Sequence, residues 1–204
     1  MTVEQLLIAT RSEGKLRELR ALFERAGMSI VDLKAARFRP TAVEDDLESG
    51  DTFEANALAK ARHFAEVAGR PVVADDSGLE VMALGGRPGV HSKRWSGRSD
   101  LSGRELDEAN NARLVSELTG ISDRRARYVC VAAFVDGATE LLARGVAWGQ
   151  ILDWPRGLEG FGYDPYFFSD DLGKTFAEAT VSEKERVSHR GRAFRSLIGA
   201  LGRR

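Results

Sequence analysis

The run Pro71-Val72-Val73-Ala74 ends in two adjacent carboxylates, Asp75 and Asp76, and passes at once into Ser77-Gly78-Leu79. Four apolar residues ahead of a turn signal predict a short buried strand ending at Asp75, with both acids where the strand leaves the core. That end of a strand is where α/β sheets bind ligands. Two like charges placed there are costly unless a cation or a metal stands beside them. A simpler arrangement also fits, in which Asp75 caps a turn and Asp76 faces water.

The rest of the chain predicts the sheet that such a strand needs. Leu6-Leu7-Ile8-Ala9 reads as a first strand ending at Thr10, and from Gly14 to Gly27 the positions Leu16, Leu19, Leu22 and Phe23 recur at helical spacing. A second strand covers Ser29 to Leu33. An acidic loop is expected from Ala42 to Asp51, and a helix from Thr52 to Ala68 with Phe53, Ala57, Ala61, Phe64 and Ala65 inward. Gly85-Gly86-Arg87-Pro88-Gly89 must turn. A helix over Gly103 to Leu118 is followed by two β segments, Ala126 to Asp136 and Thr139 to Ile151, which meet at a hairpin signal, Asp136-Gly137. A glycine-rich stretch leads to Tyr166-Phe167-Phe168, and a helical tail runs from Ser182 to Leu201. Alternating strands and helices followed by a hairpin define an α/β fold with a mixed sheet.

At 204 residues the chain suffices for one large domain, spanning 1–204, and no repeat or low-complexity linker divides it. A formal net charge of −1 argues against a nucleic-acid-coating surface but leaves room for a local basic pocket. The single cysteine, Cys130, lies in an apolar stretch, excludes an intrachain disulfide framework and is expected to pack. Met1 to Ile8 has no basic segment followed by a long apolar one, and no stretch is long enough to span a bilayer. The expected setting is the cytoplasm, with no membrane partner.

Four segments carry chemistry. Thr10-Arg11-Ser12-Glu13-Gly14-Lys15 joins a strand to a helix N-terminus, where free N–H groups, the dipole and the Lys15 ammonium suit an anion such as phosphate. It is not a Walker A loop, and a plain βα turn also fits. In Glu44-Asp45-Asp46-Leu47-Glu48, a carboxylate can give magnesium a hard oxygen ligand, or the run can be a solvated loop. Asn56 and Lys60 share a helix face, so Lys60 can neutralise a site built around Asp75 and Asp76, or lie exposed. Gly160-Phe161-Gly162-Tyr163-Asp164-Pro165 presents an aromatic ring on an open turn, suited to stacking a flat ligand or to structural packing. In Lys184 to Gly191, one continuous helix would scatter Lys184, His189 and Arg190 over different faces. A break at Ser188 would instead put His189 and Arg190 in the first turn of a new helix, where cations are unfavourable unless an anion or polar ligand meets them.

Taken together, Ala74-Asp75-Asp76-Ser77-Gly78-Leu79, Pro88-Gly89-Val90, Phe161-Gly162-Tyr163-Asp164-Pro165 and Ser188-His189-Arg190, with Thr52-Phe53, Asn56-Ala57 and Lys60-Ala61, occur in the order of a known family. From Leu7 to about Leu197 the chain resembles the Ham1-like inosine triphosphate pyrophosphatases, which act on deaminated purine nucleotides. The resemblance implies a homodimer, each subunit with an elongated mixed β-sheet and flanking helices forming two lobes around a central cleft. It implies magnesium-dependent hydrolysis of ITP, dITP and XTP to the monophosphate and pyrophosphate. Asp76 would be the catalytic acid–base group and a metal ligand, with Glu48 a second ligand; Asp75 and Lys60 complete the catalytic set. Thr10 to Lys15 would hold the triphosphate, Ser77, Lys184 and Phe161 to Asp164 would line the nucleotide pocket, and His189 and Arg190 would read the base edge. The chain departs from the family's usual Gly-Asn at Arg11-Ser12, where a charge is added and an amide donor lost, and from its paired glutamates at Leu47-Glu48. Other modified or pyrimidine triphosphates, or a sensor that binds without turnover, are the alternative functions.

Overall fold

The computed structural model describes residues 5–203. The reading of the N-terminus as free of a signal peptide rests partly on Met1 to Glu4, outside the described residues, as does the Asp45 side chain. Seven strands form one sheet: β1 (Leu6–Ile8), β2 (Ile30–Asp32), β3 (Val72–Val81), β4 (Arg125–Asp136), β5 (Thr139–Ile151), β6 (Phe167–Ser169) and β7 (Lys174–Thr175). Their order is β2-β1-β3-β4-β5-β6-β7. β1 pairs parallel with β2 (Leu6 opposite Ile30) and with β3 (Leu7 opposite Val72), whereas β5–β6 and β6–β7 are antiparallel. The sheet is therefore mixed, as expected. Among the described residues six α-helices accompany it: α1 (Glu13–Arg25), α2 (Val43–Asp46), α3 (Phe53–Ala68), α4 (Gly103–Glu117), α5 (Val181–Val187) and α6 (His189–Leu201). Among the described residues, no helix is long and apolar enough to cross a membrane.

The chain divides into two compact units. The first comprises the residues up to Asp76, Cys130–Gly145 and the segment from Arg190 onward. Its core sets Leu16, Leu19, Leu22 and Phe23 of α1 and Ala193, Phe194 and Leu197 of α6 against Ile8, Val73, Cys130 and Ala132 of the sheet. The predicted stripe of α1 is thus its buried face. The second comprises Ser77–Val129 and Val146–His189, with a core of Leu79, Val81, Leu114, Leu118, Tyr128, Phe167 and Phe176.

Three elements differ from the sequence reading, and at a fourth the alternative held open is the one found. β3 does not end at Asp75 but continues to Val81, so the two acids lie mid-strand. Ser77-Gly78 imitates a turn, while pairing within the sheet keeps the backbone extended through it. The acidic stretch contains a helical turn, α2. β7, only two residues long, leaves no periodic trace. The C-terminal helix breaks at Ser188, which adopts extended angles (φ −65°, ψ 154°) between α5 and α6, so His189 and Arg190 do open a new helix.

Candidate active site

In the first unit the neighbours of β1 are β2 on one side and β3 on the other, so the chain reverses direction across the sheet at β1. The crevice beyond the strand ends at such a switch point is where parallel sheets bind ligands. The turn Thr10 to Ser12 leaves β1 there. Thr10 is buried and accepts from the Ser12 N–H at 3.2 Å, and Ser12 caps α1 by accepting from the Lys15 N–H at 3.4 Å. Glu13 and Gly14 open α1, where first-turn amides have no intrahelical acceptor. Arg11 does not add free charge to this turn. Its Nε and Nη2 donate to Glu44 at 2.8 and 2.7 Å and its Nη1 to the Phe38 carbonyl at 2.9 Å.

Asp75 and Asp76 are 1% and 6% exposed, and adjacency on a strand gives them different surroundings. Asp75 Oδ2 meets Lys15 Nζ at 3.0 Å and Arg190 Nε at 3.3 Å, with the Cys130 thiol at 3.7 Å. Burial pushes this carboxyl up, but Lys15, Arg190 and Lys60 together outweigh burial and hold it well below the ordinary range. Asp76 Oδ2 instead accepts from Asn56 Nδ2 at 2.9 Å. Burial dominates here and Glu48 adds to it, so despite Lys15, Asn56 and Lys60 the Asp76 carboxyl lies above its usual value. Two neighbouring acids are thus driven in opposite directions, Asp75 below the ordinary carboxylate value and Asp76 above it.

Thr52 caps α3 by accepting from the Ala55 N–H, which aims Asn56 and Lys60 at β3. Lys60 Nζ donates to the Asp75 carbonyl at 2.9 Å and pairs with Glu48. Asn56 Oδ1 accepts from the Gly50 N–H at 2.8 Å, so one buried amide ties the acidic loop to Asp76. A Cβ at Gly50 would come within 2.8 Å of that oxygen, which is why the loop passes there on glycine. Asp76 and Glu48 offer two hard carboxylates. Such oxygens suit a hard divalent cation; among the described residues there is no group of three or more His, Cys, Asp and Glu that could hold a metal ion.

Arg190 is 2% exposed, with Nη1 donating to Glu18 at 2.5 Å besides its contact to Asp75. Burial works against its charge, but Asp75 and Glu18 raise its pKa above the usual arginine value. Its cost at a helix N-terminus is met by these two anions. Cys130 is fully buried, and burial beside Asp75 pushes its thiol well up, so it packs as expected.

The second unit assembles the aromatic turn. Lys184 Nζ pairs with Asp164 Oδ2 at 2.5 Å and stands 4.9 Å from the Phe161 ring centre and 5.4 Å from that of Phe176. Asp164 also accepts from the Phe161 N–H at 2.9 Å and from the Tyr128 hydroxyl at 3.5 Å. Gly160 has φ +79°, and a Cβ there would lie 2.2 Å from Asp164 Oδ2, so only glycine fits. Tyr163 is buried and donates to the Ser92 carbonyl at 2.7 Å. His189 stacks on Tyr128 at 4.5 Å and 6°, and Ser77 is half-buried on β3. Sequence reasoning missed Glu18, Tyr128, Phe176, Asp107 and Asn111. A signal existed for one: Asn110-Asn111 places two poor helix formers inside α4, and both are buried.

The Ham1 family profile matches residues 6–200. The chain belongs to the Ham1 family. It is 48% identical over 200 residues to the dITP/XTP pyrophosphatase of Frankia alni (97% of this chain, 96% of that protein) and 47% identical over 202 residues to that of Burkholderia pseudomallei (97% and 93%). Its fold is similar to that of the HAM1 protein from Coxiella burnetii, with a TM-score of 0.84 at 33% identity over 98% of this chain and 100% of that one.

Proposed function

We propose that this Ham1 protein hydrolyses dITP, XTP and ITP to the nucleoside monophosphate and pyrophosphate, as the names of its relatives indicate for dITP and XTP. One geometry supports the reading: Asp76 is buried and accepts from Asn56 Nδ2, and next to it the Asp75 carboxylate pairs with Lys15 while the Asp75 carbonyl accepts from Lys60. Asp76 orients a water and takes its proton as the water attacks the α-phosphorus. The Thr10 to Lys15 turn holds the phosphates on first-turn amides of α1, and Lys15 and Lys60 offset charge developing on the leaving pyrophosphate. Asp76 and Glu48 would hold magnesium, which would supply further charge neutralisation at the phosphates.

The purine falls to the second cluster. Phe161, beside Lys184, offers a stacking face, and Ser77 and Gly162 to Asp164 would line the same pocket. His189 donates to the six-position carbonyl of hypoxanthine or xanthine; adenine presents an amino group there and would leave the donor unmatched. Arg190 enters as counter-ion of Asp75 and Glu18, since its buried Nε and Nη1 are already engaged. The whole chain acts as one catalytic domain, in a homodimer, in the cytoplasm, without nucleic-acid or membrane partners. Product analysis with dITP, XTP, ITP, GTP and ATP, with and without magnesium, tests the reading. Pyrophosphate from the first three, lost on chelation, is expected; orthophosphate, or equal turnover of ATP, would overturn it.

A further inference from the structure

Gly162 lies between Phe161 and Tyr163 with φ +62°, and having no side chain it cannot anchor itself. Both polar groups of this residue are instead held by α4. The Gly162 N–H donates to Asp107 Oδ2 at 2.7 Å, and its carbonyl accepts from Asn111 Nδ2 at 2.9 Å. Asp107 and Asn111 are four residues apart, so they share a helix face and meet the turn side by side. The two grips have opposite polarity, one accepting and one donating, which fixes the direction of the backbone as well as its place. Downstream, Tyr163 is pinned to Ser92 and Asp164 to Lys184, while upstream Gly160 turns the chain at φ +79°. Asp164 ties the Phe161 backbone to the same turn, through the Phe161 N–H at 2.9 Å and its own N–H to the Phe161 carbonyl at 3.2 Å, and the α4 clamp fixes that turn at Gly162.

We infer that Asp107 and Asn111 are positioning residues that hold the Phe161 ring in its base-stacking pose through the Gly162 backbone. The inference rests on the reading of Phe161 as the purine platform. It separates from a merely structural role because hydrogen-bond polarity decides the outcome. Asp107→Asn keeps an oxygen acceptor for the Gly162 N–H, whereas Asp107→Ala removes it. Asn111→Asp sets a carboxylate against the Gly162 carbonyl.

The experiment measures kcat and KM for dITP hydrolysis, together with the exchange rate of the Gly162 amide by NMR. Asp107→Ala and Asn111→Asp should each raise KM about tenfold, equivalent to about 1.4 kcal/mol, with kcat within about twofold. Gly162 amide protection should be lost while amides of β4 stay protected, and Asp107→Asn should restore most of both. Unchanged KM, a fall in kcat alone, or protected Gly162 in Asp107→Ala would overturn the inference. If Asp107→Ala fails to fold, Asn111→Asp and Asp107→Asn carry the same comparison. Should the wild-type protein release no pyrophosphate from dITP, the functional reading fails on its own. Amide exchange then still decides whether the clamp exists.

Discussion

Replacing Asp75 by Asn tests the charge network most directly, because the shape is kept and only the anion is lost. At an effective dielectric of about 20, unit charges attract by about 5.5 kcal/mol at the 3.0 Å of the Lys15 pair and about 5 kcal/mol at the 3.3 Å of the Arg190 pair. Desolvation of all three groups offsets much of that. Arg190 keeps Glu18, and Lys15 keeps the attraction of Glu48 and Asp76, so neither cation is stranded completely. The expected loss is about 3–5 kcal/mol at pH 7, the usual cost of breaking a buried pair from one side. The sign with pH follows from the lowered pKa. Asp75 contributes stability above its unfolded value of about 3.9, and that contribution drains away as pH falls towards the folded value. Urea unfolding at pH 7 and at successively lower pH measures both effects, with the m-value as a check on the unfolded state. The gap between wild type and Asp75→Asn should be widest at pH 7 and narrow below about pH 4. Adding Lys15→Met to Asp75→Asn should recover part of the loss. A loss under about 1 kcal/mol at pH 7 with unchanged m would show that the network is only a surface-like pairing and refute the reasoning.

Asp76→Asn should lower kcat by about 10²–10⁴-fold with the fold intact by circular dichroism, because the proposed proton acceptor is gone. Asn56→Ala should cut kcat about tenfold, since Asp76 loses a hydrogen bond and the acidic loop loses its tie to Gly50; steady-state kinetics on dITP reads this. Gly160→Ala should lower the thermal midpoint, costing about 1–3 kcal/mol from its positive φ and the overlap with Asp164, as differential scanning fluorimetry would report.

The sequence carried more of the site than of the strand that holds it. Helical spacing located α1 and α3, because their buried faces repeat along enough turns to stand out. The hairpin announced itself through Asp136-Gly137. β3 was legible only as far as Asp75, since a strand that builds a charged site must give up its apolar pattern there, and Ser77-Gly78 then imitates a turn. The break at Ser188 could be inferred from charge, as a continuous helix would have scattered its basic residues. Arg190 was harder: a basic residue looks the same in sequence whether it meets a ligand or two buried carboxylates. Arg11 is similar, its charge claimed by Glu44 from a helix of four residues that periodicity cannot see. Asp107 and Asn111 act on backbone from a distant helix, and such contacts leave no local spacing to read.

Because Asp75 and Asp76 follow one another on an extended strand, their side chains diverge, and the two carboxylates cannot trade places by rotation. A protein that has lost one gains nothing from the presence of the other. Inserting a single residue between Val72 and Ala74 would carry Asp75 into the place of Asp76 and push Asp76 on to that of Ser77, leaving Ala74 opposite Lys15 and Arg190 while composition stays almost untouched.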